Sequence, residues 1–261
     1  MRAIWSGSIG FGLVNIPVRL FSATQDSNLD LDMLDKNGHA NIRYARINSD
    51  TGKEVPWANI VKGYKYNGEY VVLGNEDFEK VSPKKSKMID ISEFVKLEDI
   101  DTTYYETPYY LEPNKGGEKA YVLLREALKK SGKVAIGEYI MRTKENLCLL
   151  KPEGDMLLLL KIRFPEEIRD YSDLNIPKDI TIKPAELKMA EALIAQLTPK
   201  RFTLGKYKDT YDEELMKIIE AKAKGKKVAA PKFKLVHNKS KDLMDQLKAS
   251  LEGGKTHRKA S

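Results

Sequence analysis

A mixed, β-rich body followed by helices is the fold that this sequence predicts, and three patterns point to it. From Phe11 to Phe164, apolar residues recur at strand spacing between Gly, Pro and Asn-Gly breaks, interrupted by one good helix and one short one. After Pro165 the spacing lengthens to the i, i+3, i+4 of amphipathic helices. The 261 residues are 41% hydrophobic and 32% charged, a globular balance with length for one large domain plus appendages.

The elements follow in order. Phe11 to Phe21 mixes apolar and small residues, and Pro17 places it at a sheet edge or bend. Leu29-Asp30-Leu31-Asp32-Met33 alternates strictly, the mark of a half-buried strand with aspartates outward. Asn41 to Ile47 is another candidate strand, carrying Arg43 and Arg46. Tyr64 to Leu73 reads as a hairpin, because Asn67-Gly68 tolerates the positive φ angles of a type I′ turn. Asn75 caps a short helix over Glu76–Lys80. Met88–Val95, Tyr104–Leu111 and Val134–Thr143 have strand character. Between them, Gly116–Lys130 places Ala120, Leu123, Leu124, Ala127 and Leu128 on one helical face. Leu147–Lys151 and Met156–Phe164 form a hairpin across Pro152–Asp155. Pro184 opens a helix through Leu197, with Leu187, Ala190, Leu193, Ile194 and Leu197 as its stripe. Thr210 or Asp212 opens the next, which ends at Gly225. Val228 to Asn238 reads as linker, and Ser240–Leu251 as a last amphipathic helix.

Charge and composition exclude several function classes. The net charge of +7 is concentrated at one end: Lys200 to Ser261 holds 17 basic against 8 acidic residues, while the rest is nearly neutral. Such a tail is either solubilising or attracts nucleic acid through phosphate contact and counterion release. The longest apolar run, around Met156–Leu160, is far short of a membrane span, and no clean signal peptide opens the chain. A soluble, cytoplasmic protein is expected. Cys148 is the single cysteine, so an intrachain disulfide and a metal site built on a cysteine pair are both excluded, and its leucine neighbours mark it as a small buried hydrophobe. There is no phosphate loop, no His-Glu-x-x-His, no nucleophile elbow and no Lys-x-Asp-Gly nucleotidyl-transfer motif. The balance favours a binding protein over an enzyme.

Two segments then narrow the reading. Arg2-Ala3-Ile4-Trp5-Ser6-Gly7-Ser8-Ile9-Gly10-Phe11-Gly12-Leu13-Val14-Asn15-Ile16-Pro17-Val18-Arg19-Leu20 strongly resembles the N-terminus of the bacterial Ku family. Gly52-Lys53-Glu54-Val55-Pro56-Trp57, leading into Ile60–Tyr66 and Tyr70–Leu73, resembles the same family, as do Lys119–Leu128 and Asp242–Leu251. The matches cover essentially the whole chain in the family's order. The resemblance implies a Ku-type β-barrel core with a DNA-encircling bridge, followed by helices and a short C-terminal tail. It implies the core at 1–200, a helical extension at 201–227, and a linker with a partner-recruiting helix at 228–261. It further implies a homodimer that threads onto double-stranded DNA ends without sequence preference, protects them, and recruits a multifunctional, ATP-dependent DNA ligase of the ligase D type for non-homologous end joining. No catalysis and no cofactor are implied. Some members carry Cys-x-x-Cys in the bridge; this chain has Asn48-Ser49-Asp50-Thr51 there, so no metal role is carried over.

A ring of that kind needs basic residues on its inner wall, facing phosphates. The candidates are Arg43, Arg46, Lys53, Lys62, Lys65, Lys84, Lys85, Arg142 and Lys144. Lys62 and Lys65, interleaved with Tyr64 and Tyr66, are expected to share a face opposite the aromatics. Trp5 and Trp57 are expected in the core or an interface, and Tyr104, Tyr105, Tyr109 and Tyr110 in a core or dimer seam. Leu243, Met244, Leu247 and Leu251 form a narrow stripe that fits a helix-in-groove anchor for the ligase; the bland alternative is that this helix docks back on its own body. Two other functions stay open: a single-strand or RNA-binding module on the tyrosine-rich strands, and a nuclease with magnesium on Asp30, Asp32 and Asp35.

Overall fold

A computed structural model describes residues 1–81, 87–142, 144–226 and 243–257, and divides into two units, Met1–Tyr171 and Ser172–Ser261. The first unit is built on a closed seven-stranded barrel. Its strands are β1 (Trp5–Phe11), β2 (Val14–Ser22), β5 (Met88–Lys96), β6 (Tyr105–Pro113), β7 (Lys133–Met141), β8 (Lys144–Glu153) and β9 (Met156–Ile162). They close in the order β1-β2-β6-β9-β8-β7-β5. Every pairing is antiparallel except β1 with β5, where Ile9 sits beside Ile89.

The period of two explains what fills the barrel. Ile9, Ile16, Val18, Leu20, Ile89, Leu111, Ala135, Tyr139, Cys148, Leu150, Leu157 and Leu159 point inward and are almost fully buried. Each large aliphatic chain removed from water contributes about 1.5–3 kcal/mol, so the interior is a packed core. Cys148 is the small buried hydrophobe that the sequence predicts. Gly137 answers a close approach: a Cβ there would meet the Asp90 carbonyl oxygen at 2.6 Å. Helix α2 (Glu118–Ser131) covers the barrel with Tyr121, Leu124 and Leu128. Leu123, expected on that face, is 67% exposed, so the covered stripe is rotated toward Tyr121. A smaller cluster of Val134, Leu149 and Ile162 packs with Ile100, Tyr104 and Tyr105. Pro17 lies just outside the β2–β6 ladder, which starts at Val18, and so costs no hydrogen bond to that neighbour.

Three strand expectations need correction. Trp5–Phe11 is a strand of its own, and the Phe11–Phe21 segment is broken by a turn at Gly12-Leu13. Leu29–Met33 and Asn41–Ile47 are not strands; only isolated bridges, Leu34 with Asn41 and Ile47 with Glu54, form there. Alternation makes a strand only where a neighbour accepts its ladder, and this stretch leaves the barrel between β2 and β5. It is an arm that also carries the hairpin β3 (Lys62–Tyr66) and β4 (Glu69–Leu73), followed by helix α1 (Asn75–Val81). Asn67 and Gly68 have φ of 49° and 94°, the two positive angles of the expected turn.

The second unit holds α3 (Pro184–Leu197), α4 (Thr210–Ala223) and α5 (Leu243–His257), and α5 packs on α3. Residues Val228–Asn238, expected as linker, lie outside the described residues.

Candidate nucleic-acid interface

Side chains between Ala23 and Gly74 are exposed almost throughout, so the arm has no core of its own. Its backbone is closed locally. Asn48 Oδ1 accepts the N–H groups of Asp50 and Thr51, both at 2.9 Å, and Gly52 turns the chain back with φ 67°. Asp35 Oδ1 accepts the Asn37 N–H at 3.0 Å in a second such turn. Between Arg43 and Tyr66, five basic side chains stand against two acidic ones.

Arg43, Arg46, Lys53, Lys62 and Lys65 are all exposed on this arm, and none of them makes an ion pair among the described residues. Arg46 lies 4.6 Å over the Trp57 ring, and Lys62 Nζ 4.7 Å over Phe78. Trp57 therefore stacks under a cation, 72% exposed, instead of packing in the core of the chain. Trp5 is half-buried, with its indole N–H donating to the Ile140 carbonyl at 3.0 Å. The hairpin register corrects one expectation. Lys62 pairs with Leu73 and Lys65 with Tyr70, so period two puts Lys62 beside Tyr64 and Tyr66, and Lys65 on the opposite face with Gly63. The lysines do not share a face: three residues apart is an odd step on a strand.

Arg142 and Lys144 lie elsewhere, at the β7–β8 turn of the barrel. Arg142 is exposed with φ 63°. Lys144 reaches Glu167 at 3.6 Å. Glu167 is held below the usual carboxylate range mainly by the Phe164 N–H, with Lys144 adding to it. A lysine already paired has less charge to offer a phosphate. Lys84 and Lys85 lie outside the described residues.

The tyrosines divide as packing residues. Tyr109 is in the barrel core, and Tyr104 and Tyr105 are half-buried in the smaller cluster. Asp30, Asp32 and Asp35 lie on the arm, and no group of three metal-ligating side chains gathers among the described residues. Burial pushes the Cys148 thiol well above its ordinary range, which makes it a poor nucleophile. On α5, Met244, Leu247 and Leu251 are half-buried and Leu243 is 54% exposed. This helix docks on its own unit, through α3.

What residue-by-residue reading missed is the apolar surface. Tyr44, Val61, Tyr64, Tyr66 and Tyr70 on the arm are 62–83% exposed, as are Leu174, Ile180, Ile194, Leu197, Leu204 and Tyr207 at 64–73% in the second unit. The signal was present: a segment rich in aromatic and branched residues with too little chain to bury them.

Comparison with known proteins adds an independent line. The family described as the Ku70/Ku80 beta-barrel domain matches residues 10–189. A Pseudomonas aeruginosa protein named Non-homologous end joining protein Ku is 39% identical over 249 residues, covering 94% of this chain and 85% of its own. Proteins of the same name are 39% identical in Coxiella burnetii, over 100% of this chain and 98% of theirs, and 40% identical in Archaeoglobus fulgidus, over 98% and 100%. Among solved structures, the SPOC domain of human PHD-finger protein 3 matches at a TM-score of 0.31 and 10% identity, covering 62% of this chain and 97% of that one, too low to carry an argument.

Proposed function

The chain belongs to the Ku family, and from that premise we propose that it is a non-catalytic DNA-end-binding protein acting in non-homologous end joining as a ring-shaped homodimer. The observation that carries this reading is the arm. It leaves the barrel, has no core, presents basic side chains without acidic partners, and exposes aromatic and aliphatic surface. Basic groups on an uncovered arm suit phosphate contact, which fixes position and reads no sequence. Apolar surface on the same arm and in the second unit suits burial against a second copy, since monomers rarely leave so much uncovered. Lys53, Lys65, Arg43 and Arg46, all exposed on the arm, serve the DNA side in this reading. Leu243, Met244, Leu247 and Leu251 of α5 serve the ligase.

Competition between linear and covalently closed circular duplex tests the proposal. End loading predicts that linear DNA competes and closed circles do not, with log K falling by about 0.9 per neutralised phosphate against log salt. Equal competition by both forms contradicts it, and competition by exposed single strands alone would favour a stacking platform on Tyr64 and Tyr66, which share a face of the hairpin.

A further inference from the structure

We propose that the α3–α5 contact is a latch that keeps the recruiting stripe closed until the partner competes for it. This rests on the recruitment reading above and goes on to its regulation. The half-buried residues of α5 include Met244, Leu247 and Leu251, at i, i+3, i+7. Those of α3 are Glu186, Met189, Ala190, Leu193 and Gln196, which again form one stripe. The two helices pack together, and Gln196 Nε2 donates to the Leu251 carbonyl oxygen at 3.5 Å. The side chains that suit a partner's groove are thus already spent on α3. One narrow stripe cannot face two grooves, so docking and recruitment exclude each other.

The contact is built to open. None of the residues of α3 is fully buried, and the hydrogen bond to Leu251 is at the long limit of such bonds. Leu243, at the start of α5, stays 54% exposed and gives an arriving partner a first foothold. A partner whose groove binds the stripe better than α3 does shifts the population to the open form. The apparent Kd rises as the inverse of the fraction open: a tenfold bias toward the closed form raises it about tenfold, or about 1.4 kcal/mol.

The test uses the full-length protein and an ATP-dependent ligase of the ligase D type from the same organism, read by ligase Kd and by amide hydrogen exchange over 244–251. Leu193→Ala alters α3 alone. It is expected to speed exchange in α5 and to tighten ligase binding severalfold, with DNA-end binding unchanged. Gln196→Ala, which removes one hydrogen bond and no core, is expected to move both readouts the same way by less, and it decides the matter if Leu193→Ala does not fold. Leu247→Asp is expected to weaken ligase binding. If Leu247→Asp weakens binding while the α3 variants leave it unchanged or weaken it, the latch is wrong and recruitment stands. If Leu247→Asp changes nothing, recruitment by α5 falls, and the latch with it.

Discussion

Two buried tyrosine hydroxyls, one on α2 and one in the barrel, have opposite surroundings. Tyr121 donates to the Leu111 carbonyl at 2.6 Å and accepts the Leu157 N–H at 2.6 Å, so its oxygen stands between two cross-strand partners of β6 and β9. It ties α2 to that seam. The Tyr139 hydroxyl is buried in the barrel beside Cys148 with no hydrogen-bond partner among the described residues, and burial pushes its titration upward. Phenylalanine at the two positions should therefore have unequal effects. Tyr121→Phe is expected to destabilise by about 1–3 kcal/mol, because it strands a donor and an acceptor, while Tyr139→Phe removes an unpaired group and is expected to be neutral or slightly stabilising. Urea denaturation of both variants checks this, and equal losses would show that Tyr139 is satisfied in solution. Neither role was legible in sequence. Tyr121 sits next to the apolar face of a well-predicted helix, but its bond to Leu157 spans 36 residues, and no local pattern carries that pairing.

Elements whose stabilising partners are local were legible, and those that depend on distant ones were not. The Asn67-Gly68 hairpin follows from turn chemistry, α3 from its proline start and apolar spacing, and the β8–β9 hairpin from Gly154-Asp155. Leu29–Met33 has strand alternation but no strand beside it, so the pattern misleads. Trp5–Phe11 looks too rich in Gly and Ser for a strand, and it is one because β2 and β5 flank it. For the candidate site, the basic residues were legible as a list, and their faces only from the register. That register sharpens one expectation. The Lys65 face of the hairpin carries Gly63, Tyr70 and Val72 and no acid, whereas the Lys62 face carries Glu69. Lys65→Glu is thus expected to weaken DNA-end binding and to lower the salt slope by about 0.9 per protomer. Lys62→Glu, on the face with Glu69 and Phe78, is expected to do so much less. Fluorescence anisotropy across a salt series decides, and the reverse order would put the other face of the hairpin toward DNA.

At the scale of the whole molecule, the proposed dimer rests on an arm without a core and on exposed apolar surface in each unit. An obligate dimer of this kind buries more than about 2,000 Å², and exposed residues such as Tyr44 and Tyr64 on the arm, and Leu197 and Leu204 in the second unit, are candidates for that burial. Light scattering is expected to give a dimer at micromolar concentration and below; a well-folded monomer there would contradict the shared interface. A ring adds something that no sum of contacts supplies, which is retention by topology. The neutral body fits this, since a closed path around the duplex does not need high global charge. Trapping measures that property most directly. The protein is loaded on linear DNA, the ends are ligated into a circle, and the complex is challenged with high salt that releases phosphate contacts. Threading predicts that protein stays with the closed circle at high salt and leaves when a single cut reopens it; loss from the circle as fast as from linear DNA would contradict the ring.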